Sequence, residues 1–281
     1  MKRSTKIIII ILVVFLILCH IDFRPWFYKK QSDYLNRVDE TRKEYNIGSC
    51  YNMQEELCYY IIFLDDDENL WNEEEKEIFI NKKFLPTINY LSDQAAAYNT
   101  EITKNYTVCE KQISYKGIIE SETVQNGAQY DILTQVSISM GYESPSDMTK
   151  NLKKELSVKQ VAYLIAVNKE GRSYKLSHHH ASYERKQEFC VFFAKTIGYT
   201  DTTCASSIAH EILHLFGAED YYDPYGNYPE RKKLATTLYP NDIMFSTSVD
   251  INEKTVGAYT AYSVGWFHEL PEECNVEEWW K

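Results

Sequence analysis

The amino-acid sequence predicts an α/β (α+β) fold in which helices pack on a mixed sheet. Short runs of β-branched and aromatic residues alternate with helix-spaced apolar residues in the N-terminal half, and helical patterns dominate the C-terminal third. No Pro-, Gly- or Ser-rich linker interrupts the chain after residue 50. We therefore expect one globular domain over residues 50–281.

The strands are predicted from apolar runs bounded by polar residues. Residues 58–64 and 161–167 are continuously apolar and indicate buried strands. Further strands are expected at 106–119, 174–176 and 188–193. The segment 174–176 is short and is expected to lie at an edge of the sheet.

The helices are predicted from apolar residues at helical spacing. The longest covers 71–98 and should bend at Pro86, because proline cannot donate a backbone hydrogen bond inside a helix. Shorter helices are expected at 130–140, 146–156 and 253–266. Residues 221–240, rich in Tyr, Pro, Gly and Asn, are expected to form a long loop.

The N-terminus has the pattern of an export signal. Lys2, Arg3 and Lys6 precede an apolar run over 7–19, so residues 1–21 are predicted to be a signal-anchor or a signal peptide. No small-residue cleavage site follows, and we favour a membrane anchor at the N-terminus, with secretion after cleavage as the alternative. Residues 22–49 are predicted to be a polar stalk, and the domain should lie outside the cytoplasm.

Composition excludes two classes of protein. The chain has 23 Tyr, 12 Phe and 5 Trp, which excludes an intrinsically disordered chain. Its 41 acidic residues outnumber 30 basic ones, giving a net charge of -11, so nucleic acid is not expected to be a partner. Outside the apolar N-terminal run there are six cysteines, for which disulfides and free buried thiols both stay open.

The motif that carries chemistry lies within residues 203–220. His210 and His214 are four residues apart, so on a helix both rings project from one face and can bind a single tetrahedral Zn²⁺ ion. Glu211 follows the first histidine, where its carboxylate can take a proton from a water molecule activated by the metal.

The complete motif runs His210-Glu211-x-x-His214-x-x-Gly217-x-x-Asp220. It resembles the long zinc motif of the metzincin metallopeptidases, in the form with Asp in place of the third His, found in bacterial secreted members such as snapalysin and the immune inhibitor A group. The resemblance implies a zincin-like fold with a twisted mixed sheet. It also implies that Gly217 permits a sharp turn and that Asp220 is the third zinc ligand.

A second element of the family is the Met-turn, a methionine placed beneath the zinc. Met244, in Asn-Asp-Ile-Met before the predicted C-terminal helix, is similar to it. The resemblance further implies that an edge strand upstream of the zinc helix pairs with extended substrate. Family members often carry a tyrosine two residues after the methionine, but this chain has Ser246 there.

Other residues compete for the same roles. Glu219 and His268 are alternatives to Asp220 as third ligand. The triplet 178–180, all histidine, is expected to be a solvated loop, because adjacent side chains point in different directions. The aspartates at 65–67 lack the spacing of a calcium loop and are expected to be a solvated strand end.

Together these observations predict a zinc-dependent endopeptidase, with Glu211 as general base and a protein or peptide as substrate. The alternative is an anchored surface protein whose zinc-stabilised domain binds a partner without hydrolysis. A zinc hydrolase acting on another kind of substrate is a third, less favoured hypothesis.

Overall fold

The computed structural model describes residues 50, 53–54, 56–119, 131–178, 187–195, 200–221, 229–245 and 250–275. All of them belong to the second of two units of the chain, Lys43–Lys281. The predicted anchor (1–21) and the whole of the predicted stalk (22–49) lie outside these residues. No helix within the described ranges is long and apolar enough to cross a membrane.

The described strands form one mixed sheet, as the sequence predicts. They are β1 (Leu57–Asp65), β2 (Tyr106–Val108), β3 (Ile113–Ser114), β4 (Gln160–Glu170), β5 (Tyr174–His178) and β6 (Gln187–Lys195). The order is β2-β1-β4-β6-β5, and β3 also pairs with β1. All pairs are parallel except β5 with β6, so β5 is an antiparallel edge strand, as expected for 174–176.

Both faces of the sheet are buried, which explains the continuous apolar runs. Alternate residues of β1 enter two different cores: Tyr59 and Ile61 face one, and Tyr60 and Ile62 face the other. The first core is covered by α2 (Leu85–Ala96), α5 (Asp201–Leu215), α6 (Pro229–Leu238) and α7 (Ala258–Ser263). Helix α1 (Glu73–Ile78), which lies before α2 in the chain, has no buried residue. The second is covered by α3 (Ile132–Ser139) and α4 (Pro145–Glu155).

The predicted long helix is interrupted just before Pro86. A π-helical segment, Phe79–Phe84, joins α1 to α2, and Leu85 donates its N–H to the carbonyl of Ile80. Pro86 has no N–H and its ring conflicts with a carbonyl one turn earlier, so the widened turn accommodates it. At the other end, Asn72 and Glu75 form a capping box that starts α1.

Three predictions of secondary structure need correction. Residues 106–119 form two short strands, not one. Residues 221–240 include the helix α6, because Leu234 and Ala235 pack against the core. The C-terminal helix is only Ala258–Ser263, since Gly257 stands at its N-cap and Gly265 leaves the helical region at φ +79°.

The prediction of a solvated strand end at 65–67 is wrong for two of its aspartates. Asp65 accepts hydrogen bonds from Trp71 N and Gln112 Nε2. Asp66 accepts from Asn69 N and pairs with Lys169 Nζ at 2.7 Å. Both are buried, whereas Asp67 is exposed. These two carboxylates hold the loop that follows β1 and connect it to Lys169 of β4.

The six cysteines of the described residues are free thiols, and all are buried. This settles the choice that the sequence left open between disulfides and free thiols. The residues are Cys50, Cys58, Cys109, Cys190, Cys204 and Cys274.

Candidate metal centre

The helix α5 carries the histidine motif at the centre of the first core. Ala205, Ala209 and Ile212 are fully buried along the helix, which packs on α2 and β6. His210 is buried and His214 lies one turn later on the same face, with its side chain 12% exposed. Their rings are 4.6 Å apart between centroids. The spacing therefore places both imidazoles together, as predicted.

The chain turns sharply after α5 through Gly217, whose φ is +103°. Gly217 N donates to His214 O and Ala218 N donates to Leu213 O, the two hydrogen bonds of a Schellman motif. A positive φ of this size is accessible to glycine and strained for other residues. This turn brings Asp220 back to the histidines.

Three potential ligand atoms meet at this point. The Nε2 atoms of His210 and His214 are 3.0 Å apart, and Asp220 Oδ1 lies 3.0 Å and 3.2 Å from them, respectively. Bonds of about 2.0 to 2.2 Å in a tetrahedral metal site place neighbouring ligand atoms about 3.3 to 3.6 Å apart. The three atoms are therefore slightly closer than in a loaded site, and they are arranged as its ligands would be.

Hydrogen bonds on the far side of each ring fix where its proton lies. His210 Nδ1 is 3.0 Å from the carbonyl oxygen of Ile243, and His214 Nδ1 is 2.8 Å from that of Ala218. Carbonyl oxygens only accept, so we assign the proton of each neutral ring to Nδ1 and a lone pair to Nε2. Two imidazole lone pairs and a carboxylate oxygen thus converge, and such a group can bind a metal ion.

The carboxylate of Asp220 also has the properties of a metal ligand. Its Oδ1 atom is buried and has no hydrogen-bond partner. Burial acts to raise the pKa of this carboxyl, and His210 and His214, when their rings are protonated on Nε2 as well, lower it well below its ordinary value through hydrogen bonds and positive charge. Asp220 is thus an ionised oxygen donor facing two nitrogen donors.

Glu211 is buried beside this group without belonging to it. Burial is the main cause that raises the pKa of its carboxyl to about 7; His210 opposes the shift and Asp220 adds to it. Arg172, which lies just before β5, and Lys175, which lies in β5, also lower it. A carboxyl that changes protonation near neutral pH has the property required of a general base.

Met244 is fully buried and lies in a 3₁₀ turn, Ile243–Phe245. The carbonyl before it accepts from His210, and its own carbonyl accepts from Tyr221 N at 3.1 Å. The backbone of this turn therefore contacts both sides of the metal group. Sequence reasoning named Met244 but missed the carbonyl of Ile243 and the buried Asp242, because hydrogen bonds between distant segments leave no local pattern.

The competing third ligands, Glu219 and His268, do not belong to the metal group found among the described residues. Glu219 pairs with Arg231 of α6, so its carboxylate is already engaged. His178 ends strand β5, and the other two histidines of the triplet lie outside the described residues.

Among known proteins, similarity to this chain is found in structure and not in sequence. No known protein family and no curated protein matches the sequence. Among solved structures, the chain is similar to metalloproteinase-II from Bacteroides fragilis, with 14% sequence identity and a TM-score of 0.41. The similarity covers 79% of this chain and 58% of that one, so this chain spans less than two thirds of the solved protein.

Proposed function

We propose that this chain is a zinc-dependent endopeptidase of the metzincin type. The observation that carries the proposal is the convergence of His210 Nε2, His214 Nε2 and Asp220 Oδ1 within 3.2 Å of one another, next to the buried carboxylate of Glu211. Two imidazoles and one carboxylate are a ligand set that suits Zn²⁺ and leaves a coordination position for water or substrate.

Each residue has a defined role in this proposal. His210, His214 and Asp220 hold the metal, which when bound supplies Lewis acidity toward water and the scissile carbonyl. Glu211 takes the proton from the attacking water and delivers it to the leaving amine. Met244 provides the apolar floor of the site as the Met-turn, and Gly217 provides the turn between the second and third ligands.

The substrate is a protein or peptide that binds in extended form along β5. This strand is an edge of the described sheet, and its neighbour β6 packs against the helix α5, so an added strand would run close to Glu211. Residues 1–21 anchor the protein in the membrane, which places this domain outside the cytoplasm. Cleavage of that segment would release it as a secreted enzyme.

The deciding experiment compares the wild type with Glu211→Ala and with the neighbouring control Glu219→Gln. Bound zinc is measured by metal analysis, and peptide cleavage by mass spectrometry of an unbiased peptide library. We expect all three proteins to bind one zinc ion and only Glu211→Ala to lose cleavage. Equal cleavage by wild type and Glu211→Ala overturns the proposed mechanism.

The same experiment separates the alternative function. A wild type that binds zinc, is stabilised by it and cleaves no peptide in the library supports a zinc-stabilised binding domain. The missing tyrosine after Met244 is the sequence feature that favours this alternative.

A further inference from the structure

Asp242 is a buried carboxylate two residues before Met244, with no exposed surface. Its Oδ1 accepts from Met244 N at 2.8 Å, and its Oδ2 accepts from Gly257 N at 2.7 Å and from Thr260 Oγ1 at 2.9 Å. Burying a charge is costly unless hydrogen bonds compensate it. Three donors converge on this carboxylate, so the fold is built to keep it at this position.

One connection runs from Asp242 to His210. The bond from Met244 N to Asp242 Oδ1 closes a tight turn around Ile243. The amide of Ile243 donates to Thr255 O at 2.9 Å, and its carbonyl accepts from His210 Nδ1 at 3.0 Å. The carboxylate therefore sets the direction of the carbonyl that orients the first imidazole.

A second connection runs from Asp242 toward Asp220. Thr260 has a single hydroxyl proton, which it donates to Asp242, so the hydroxyl of Tyr221 must donate to Thr260 across 3.0 Å. Tyr221 also donates its N–H to Met244 O at 3.1 Å. Because Tyr221 directly follows Asp220, both bonds fix the backbone that carries the third ligand.

We propose that Asp242 is a positioning residue of the metal centre, which holds His210 through the Ile243 carbonyl and Asp220 through Thr260 and Tyr221. The inference rests on the proposed zinc site and adds to it a residue that contacts neither metal nor substrate. Such outer partners of metal ligands typically change metal affinity by about 10- to 100-fold when they are removed.

Gly257 offers an independent way to disturb this carboxylate. Its φ is -70°, which any residue can adopt, yet a Cβ atom there would lie 2.8 Å from Asp242 Oδ2 and 2.8 Å from Tyr239 Cδ1. Gly257→Ala therefore displaces the carboxylate, or the ring beside it, without removing a hydrogen-bonding group.

The test measures the zinc Kd by chelator competition, the absorption spectrum of the Co²⁺-loaded protein and the Tm of the metal-free protein. The variants are Asp242→Asn, Thr260→Val and Gly257→Ala. The control is Asp250→Asn, because Asp250 accepts from Asn252 N at 2.9 Å in the same kind of turn. We expect Asp242→Asn to bind zinc about 10- to 100-fold more weakly, with a changed Co²⁺ spectrum. The other two variants should shift in the same direction, and the control should match the wild type.

A purely structural role predicts a different pattern. In that case the variants lower the Tm of the metal-free protein but leave the zinc Kd and the Co²⁺ spectrum unchanged, and the inference is overturned. If Asp242→Asn does not fold, Thr260→Val decides by the same criterion. If the wild type does not bind zinc, the proposed function itself is refuted. If the wild type and the variants bind zinc with the same low Kd, only the role of Asp242 is refuted.

Discussion

The imidazole of His214 donates from Nδ1 to the carbonyl oxygen of Ala218, 2.8 Å away. The second histidine is therefore oriented by the turn that follows its own helix. That turn depends on Gly217, whose φ of +103° is strained for any residue with a side chain.

Gly217→Ala should lower the free energy of unfolding by about 1 to 2 kcal/mol and also weaken zinc binding. The loss of stability comes from the strained backbone, and the loss of affinity comes from displacement of Ala218 and Asp220. Urea unfolding of the metal-free protein and chelator competition measure the two effects. Gly141, with φ +94° and an ordinary contact of 3.9 Å between its Cβ position and Lys111 Nζ, is a matched control. Gly141→Ala should lose similar stability and keep its zinc affinity; a Gly217→Ala protein with wild-type affinity contradicts the prediction.

Asp220→Asn should bind zinc more than about 100-fold more weakly than the wild type, because a neutral amide replaces an anionic ligand. The loss of a direct ligand should weaken binding more than the loss of an outer hydrogen-bond partner, which costs about 10- to 100-fold. Glu219→Gln is the appropriate comparison, since Glu219 pairs with Arg231 and lies next to Asp220 in the chain. Isothermal titration or chelator competition gives both constants. If Glu219→Gln loses the metal and Asp220→Asn keeps it, the assignment of the third ligand is wrong.

Removal of zinc should destabilise the domain. A ligand present at about 1,000 times its Kd stabilises the folded state by about 4 kcal/mol, which for a domain of this size corresponds to roughly 8 to 16 °C in Tm. Differential scanning fluorimetry with and without a chelator measures the shift. His210→Ala should melt at the same temperature in both conditions, and a chelator effect that persists in this variant would place the stabilising ion elsewhere.

The mixed α/β fold was predictable because its strongest signals are local. The runs that became β1 and β4 are buried on both faces, so every residue in them is apolar. The histidine pair was predictable for the same reason, since the helical spacing alone places His210 and His214 together. The prediction of Asp220 as third ligand depended on the family resemblance, because a turn after the helix, and not the helical spacing, places Asp220 beside the histidines.

Elements with weak amphipathic patterns were not predictable. Helix α6 is rich in charged and polar residues and buries Arg231, Ala235 and part of Leu234, so its sequence resembles a loop. The C-terminal helix was predicted to be too long because the sequence does not show that it begins after Gly257. In the structure Gly257 is the N-cap, and its N–H donates to Asp242 Oδ2. The role of Asp242 depends on partners 15 and 18 residues away, which no short window contains.

The pair of Asp66 and Lys169 should make stability depend on pH in the acid range. Lys169 Nζ lies 2.7 Å from Asp66 Oδ2, and the Asp66 side chain has no exposed surface. Burial acts to raise the pKa of this carboxyl, but hydrogen bonds from Lys169, Asn69 and backbone amides outweigh it and lower the pKa to about 2. A lowered carboxyl pKa stabilises the folded state above the unfolded value near 4, and this contribution is lost as the pH falls toward 2.

Asp66→Asn should therefore be less stable than the wild type at pH 7, and the pH-dependent part of the difference should be about 2 kcal/mol. Urea unfolding of the metal-free proteins between pH 7 and pH 2.5 measures it, and metal-free protein is needed because zinc also dissociates in acid. The exposed neighbour Asp67 provides the control, and Asp67→Asn should follow the wild type at every pH. A difference between wild type and Asp66→Asn that stays constant down to pH 2.5 would show that folding does not lower the pKa of Asp66, and it would contradict this prediction.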